Sequence, residues 1–287
     1  MLLRFNYRSQ ALGHWVDVSA VIPTNSFSYY DLSQGTRGHM GPGETPSLPV
    51  YHSGMKFQTV YLIHGGGDDD SLPLRYTNVE RYAERNCVML VAPDVANSFG
   101  VDTAYGKNYS TFIGEELPVV VQSLFPSSPE RRDNFIVGYA MGGNAALGNA
   151  LRYPHRYCAC VDISGGIGLT ANTGTLEREL KSEHFKSFPI YLNTFGPASQ
   201  IEGSRFDLAA LVRQGLAEGV DFPALHLVCG SREFIRERVE DDVRALRTLG
   251  LAVEYTLAEG YGHDFEMWDA YLRRTLDDFL PLRRCAL

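Results

Sequence analysis

Phe135-Ile136-Val137-Gly138-Tyr139-Ala140-Met141-Gly142-Gly143 decides how this chain is read. An apolar run enters a glycine-flanked corner, and helix-forming residues (Ala145, Ala146, Leu147, Ala150, Leu151) leave it. That is the strand-turn-helix setting of a G-x-S-x-G nucleophile elbow, in which a side chain is presented at the tip of a sharp, strained turn. Gly138 and Gly142 stand where a Cβ would collide with the strand or the helix. The centre of the motif calls for serine, and it holds Ala140. Taken alone, the fragment also reads as an ordinary strand-to-helix turn that happens to contain glycines.

Working outward, Thr59-Val60-Tyr61-Leu62-Ile63 and Val88 to Ala92 are continuous apolar runs, the pattern of strands buried on both faces of a parallel sheet. Helical periodicity separates them over Tyr76 to Arg85 and returns over Ser110 to Leu124. After the elbow the chain alternates again. Strands are expected at Tyr157 to Ile163, Ala224 to Cys229 and Ala252 to Leu257, and helices at Phe206 to Leu216, Glu237 to Leu249 and Glu266 to Leu280. Loose alternation over residues 3 to 22 suggests two antiparallel edge strands ending at Pro23. This order predicts a doubly wound α/β sheet, mostly parallel with helices on both faces, and the elbow motif set within it points to an α/β-hydrolase fold. Residues 24 to 55 read as a long loop, and residues 168 to 204 as an insertion suited to a lid over the site or to a plain surface excursion.

The chain has 287 residues, 44% hydrophobic and 21% charged, enough for a sizeable core. A single domain over 1–287 accommodates the alternation, with the insertion inside it. The net charge is −8 and the basic residues are scattered, which argues against nucleic acid or an anionic membrane as partner and for a small molecule. No run approaches the ~18 apolar residues of a membrane span, and Met1 to Arg8 lack the pattern of a signal peptide. The five cysteines (Cys87, Cys158, Cys160, Cys229, Cys285) have no metal-ligand spacing, and a reduced, cytoplasmic setting is expected.

Covalent ester hydrolysis needs a nucleophile, a base, a carboxylate to orient the base, and amide donors for the oxyanion. On this fold they follow the chain order nucleophile, acid, histidine. Position 140 is the nucleophile's place. His263, in the glycine-flanked loop after the last strand, is the candidate base, although a lone histidine is more often a surface or packing residue. Glu233, first carboxylate after the strand ending at Cys229, is the candidate acid, since ligands of open α/β sheets bind at the carboxyl ends of strands. Glu237, Glu240 and Asp241 follow on a predicted helix, where a solvated face is the plain reading. The oxyanion donors are expected to be the N–H groups of Met141 and of the His64-Gly65-Gly66-Gly67 turn, most simply Gly66. That glycine run matches no phosphate-binding motif, and Asp68, Asp69 and Asp70 read as a solvated turn, so neither a metal nor a cofactor is expected. Gly67, Tyr105, Tyr109 and Trp268 are the candidate pocket walls.

His64-Gly65-Gly66, Val91-Ala92-Pro93-Asp94, Tyr105-Gly106, Phe112-Ile113-Gly114-Glu115-Glu116-Leu117-Pro118, Gly138 to Gly143, Cys229-Gly230 and Gly262-His263-Asp264-Phe265 with Trp268-Asp269 occur in the order and spacing of one family. The chain resembles the esterase D superfamily, nearest its tributyrin-esterase-like branch, which is related to S-formylglutathione hydrolases and to feruloyl and acetyl-xylan esterases. The resemblance spans residues 1 to 280. It implies cofactor-free hydrolysis of short-chain acyl or acylated-sugar esters, with position 140 as nucleophile, Glu233 as acid, His263 as base and Gly66 and Met141 as oxyanion donors. Two departures stand out: the family usually carries aspartate at position 233, and its serine is Ala140 here.

A serine-to-alanine substitution made to trap an intact ligand explains a gap confined to one residue. A chain long released from catalysis is expected to have lost other parts too. Removing such a nucleophile costs on the order of a millionfold in rate. A non-catalytic binder of acylated sugars and an acyltransferase with the same triad are the alternative functions, and an exposed edge strand permits self-association.

Overall fold

The computed structural model describes residues 1–23, 53–166 and 190–287. Most of the long loop read over 24–55, and residues 168–189 of the expected insertion, lie outside the described residues.

Among the described residues eight strands form one sheet: β1 (Leu2–Arg8), β2 (Trp15–Val21), β3 (Thr59–Ile63), β4 (Met89–Pro93), β5 (Asn134–Tyr139), β6 (Ala159–Ile163), β7 (Ala224–Gly230) and β8 (Val253–Ala258). Their order is β1-β2-β4-β3-β5-β6-β7-β8. β1 and β2 pair antiparallel with each other, and β2 antiparallel with β4, while β3 through β8 run parallel. The expected α/β-hydrolase fold is thus met, antiparallel edge included.

Alternation along each buried strand feeds two cores. Tyr61, Ile63, Met89, Val91 and Ile136 point to one face, packing against Leu117, Val121, Leu147, Val212 and Val243. Val60, Leu62, Leu90, Phe135 and Val137 point to the other, against Val79, Tyr82, Met267 and Leu272. A parallel sheet covered on both sides needs apolar residues at consecutive positions, which is why these strands read as unbroken apolar runs.

The first face carries α3 (Tyr109–Thr111), α4 (Leu117–Leu124), α5 (Met141–Arg152), α7 (Leu208–Ala217) and α8 (Arg236–Leu249). The second carries α2 (Val79–Arg85) and α9 (Phe265–Arg274). Three helices differ from expectation, the last of them, predicted over Glu266 to Leu280, being regular only to Arg274 and widening over Thr275–Phe279. The helix predicted from Tyr76 is divided into α1 (Leu72–Tyr76) and α2, because Thr77 is extended (φ −130°, ψ 172°). The helix predicted over Ser110 to Leu124 contains a wide turn at Phe112–Glu116 just before Pro118. Pro118 has no N–H to give Gly114, so the regular ladder cannot pass through it. Within the expected insertion, Ile190–Phe195 form a short helix, α6, that periodicity did not announce.

Candidate active site

The carboxyl ends of β3, β5, β6, β7 and β8 converge on one cavity of about 560 Å³. β5 delivers Ala140, whose φ of 51° and ψ of −125° place a non-glycine residue in the strained conformation of an elbow. Its N–H donates to Ile163 O at 2.8 Å, tying the tip to β6. The flanking glycines are obligatory. A Cβ on Gly138 would lie 2.0 Å from Gly142 O, and one on Gly142 would lie 2.1 Å from Ile63 O.

β3 delivers the turn His64–Gly67, which is cross-braced. Val95 N–H donates to His64 Nε2 at 2.9 Å, so the imidazole proton sits on Nδ1 and is donated to Gly65 O at 2.7 Å. Asp68 accepts from Gly65 N (3.2 Å) and from the Tyr139 hydroxyl (2.9 Å), and Asn97 Oδ1 accepts from Gly67 N (2.7 Å). Burial pushes the Asp68 carboxyl up from its ordinary value. Gly66 and Met141 face each other: a Cβ on Gly66 would lie 3.8 Å from Met141 Cβ. Among the described residues neither N–H has a hydrogen-bond acceptor, and both residues line the cavity with Ala140. Two spare donors beside the elbow form an arrangement fit to receive an oxyanion.

β7 and β8 deliver Glu233 and His263. The Glu233 side chain is fully buried, and its Oε2 lies 2.8 Å from His263 Nδ1. Its Oε1 accepts from Gly230 N (2.8 Å) and Ser164 Oγ (2.6 Å). A carboxylate at Nδ1 fixes the tautomer and leaves Nε2 as the nitrogen able to take a proton. The two loops are fastened together, because Arg232 N donates to Tyr261 O at 3.0 Å and Ser231 N to Ala258 O at 2.9 Å. A Cβ on Gly230 would sit 2.5 Å from Tyr261 O. The His263 ring lies edge-on between Phe234 and Trp268, each at 5.1 Å between centroids. Asp264 caps α9 by accepting from Met267 N at 3.0 Å, which holds the loop in place.

Ala140, Met141, Gly66, Gly67, His263 and Trp268 share the cavity wall, and Glu233 lies behind it. Tyr105 and Tyr109 do not line it. Tyr105 is exposed at a turn closed by Thr103 N to Lys107 O, and Tyr109 opens α3 with its ring in the core. Aromatic character alone did not reveal which way these residues face. Phe99, stacked on Tyr191 at 5.0 Å, Phe234, Phe265 and Arg238 are walls the sequence did not single out, while Ile190 and Tyr191 belong to the 168–204 segment already read as a candidate cover of the site. The turn Ser164-Gly165-Gly166 was visible as the end of a strand, but its contact with Glu233 was not. Among the described residues no group of three or more His, Cys, Asp and Glu is arranged to hold a metal ion, and no helix is long and apolar enough to cross a membrane.

The sequence profile of a family described as putative esterase matches residues 46–199. An acetyl esterase of Caldicellulosiruptor saccharolyticus is 28% identical over 240 residues, covering 80% of this chain and 89% of that protein. Among solved structures, the fluorophosphonate-binding serine hydrolase FphF of Staphylococcus aureus superposes with a TM-score of 0.76 at 23% identity, over 96% of this chain and 97% of its own. The S-formylglutathione hydrolase of the same organism gives 0.73 at 24% identity, over 96% and 97%. At these identities the structural likeness speaks for the fold.

Proposed function

The chain belongs to the putative esterase family, and from that premise we propose that its site is that of a serine carboxylesterase for short-chain acyl or acylated-sugar esters, held here in a form that binds ester without turning it over. The ester carbonyl sits beside residue 140, with its oxygen toward the N–H groups of Gly66 and Met141. With serine at 140, His263 Nε2 takes the hydroxyl proton as Oγ attacks the carbonyl carbon, then returns it to the departing alcohol oxygen. Glu233 steadies the imidazolium formed in between. Water repeats the sequence on the acyl-enzyme and releases the acid. With alanine at 140 there is no oxygen to attack, while the ester-binding surfaces are intact.

The observation that carries this reading is the 2.8 Å contact between His263 Nδ1 and Glu233 Oε2, beside a cavity whose wall also includes Ala140, Gly66 and Met141. Ala140→Ser is expected to release p-nitrophenol from the acetate and butyrate esters at least about a thousandfold faster than the parent chain. His263→Ala in that background is expected to abolish the gain. A serine variant without esterase activity overturns the proposal.

Ala140 itself favours a second reading, a non-catalytic receptor for acylated sugars. An inert serine variant, together with calorimetric binding of an acetylated sugar to the parent chain, would establish it. Product analysis with added alcohol acceptors separates hydrolysis from acyl transfer.

A further inference from the structure

Ser164 follows directly after β6, fully buried with a φ of 61°, a left-handed conformation that strains a non-glycine residue. Two bonds hold it there. Its own N–H donates to Val228 O at 2.8 Å, and Gly165 N donates to Asp162 Oδ1 at 2.7 Å. Asp162 is wedged under the elbow, since a Cβ on Gly143 would lie 2.2 Å and one on Gly165 2.3 Å from the same oxygen. The turn therefore cannot relax without disturbing the elbow helix. Its fixed shape sends Ser164 Oγ to Glu233 Oε1 at 2.6 Å, with Met267 Sδ a weaker neighbour at 3.7 Å.

A hydroxyl against a carboxylate oxygen donates its proton, and such charge-assisted bonds are roughly twice as strong as neutral ones. Glutamate has one more rotatable bond than the aspartate expected at this place. Two donors on Oε1, Ser164 Oγ and Gly230 N, remove that freedom and leave Oε2 directed at His263 Nδ1.

We propose that Ser164 is a positioning residue of the site: its hydroxyl anchors Glu233 Oε1 and so aims Oε2 at His263. The proposal rests on the reading of Glu233 and His263 as acid and base given above. Glutamate works at position 233 because a neighbouring strand supplies this hydroxyl, so the orienting unit extends from β6 to β8.

The test uses the chain with Ala140 as it stands, labelled with nitrogen-15. The low-field Nδ1–H proton resonance of His263, identified by its disappearance in His263→Ala, is followed in Ser164→Ala and Ser164→Gly. Both are expected to shift it upfield and broaden it. In the Ala140→Ser background, both are expected to lower kcat about tenfold to a hundredfold with KM held within about twofold.

Ser164→Gly separates the hydroxyl from the backbone, because glycine relieves the strain at φ 61°. If glycine preserves the resonance and kcat while alanine does not, the serine serves only the turn and the proposal is overturned. It is equally overturned if both variants leave resonance and kcat unchanged. Should Ala140→Ser prove inert, the esterase reading fails on its own, and the Nδ1–H resonance still decides the role of Ser164.

Discussion

Gly142 has no room for a side chain, because the atoms that exclude one are main-chain carbonyls at the end of β3 and the start of its turn. A methyl group there would press on Ile63 O at 2.1 Å and on His64 O at 2.4 Å, and neither can swing aside without unmaking β3. Gly142→Ala is accordingly expected to cost about 4 kcal/mol or more, or to yield no folded protein, as judged by urea unfolding. This much was legible in the sequence, since the glycine spacing states that a strand and a helix meet at a tip. Legibility ended where a residue's use depends on a distant partner. Ser164 became visible only when β6 and β7 were side by side, since its Oγ reaches a residue 69 positions away. The direction of Tyr105 and Tyr109 was hidden for the same reason.

At the scale of elements, the His64–Gly67 turn is steadied from the sheet's antiparallel margin. Asp70, fully buried just past His64–Gly67, accepts from Arg4 Nε (2.9 Å) and the terminal guanidinium nitrogen (2.7 Å) on β1, and from Ser19 Oγ (2.7 Å) on β2. The margin that looked peripheral in the sequence thus braces the loop after β3. Asp70→Ala strands a buried hydroxyl and an arginine fork together. It is expected to lose about 2–3 kcal/mol in urea unfolding, whereas Arg4→Ala, whose side chain is half-exposed, loses about 1 kcal/mol or less. Strands were easier to read than helix limits, because a buried parallel strand writes itself as an apolar run. A proline such as Pro118 changes a helix's hydrogen bonding without changing its apolar spacing.

Across the whole molecule, the buried acid beneath the elbow links fold stability to pH. Burial, then the facing Asp242, hold the Asp162 carboxyl well above the ordinary carboxylate range against a lowering by Gly165 N–H, with Glu233 adding the weakest push upward. An acid whose native value is raised stabilises the fold fully below the unfolded value of about 4, and that contribution drains away as pH climbs toward the native value. Asp162→Asn keeps an acceptor for Gly165 N and cannot ionise. Its stability relative to the parent is therefore expected to improve as pH rises above the unfolded value of about 4, read as the difference in urea midpoints. A gap that stays constant with pH would contradict the assignment. Composition announced a globular acidic chain, but a carboxyl at the centre of an apolar strand (Ala159 to Ile163) gave no sign of which charges it would face.

The loops after β7 and β8 are stitched along their length, with Gly230 lodged beneath Tyr261 O and Arg232 N bonded to it. Glu233 and His263 therefore ride on a common raft. Thermal drift or an arriving ester that tilts this raft alters its separation from the elbow, yet leaves the carboxylate and the imidazole in step. The pairing of the two groups and their approach to the elbow are thereby decoupled: the former is set within the raft, the latter by how it docks against β5.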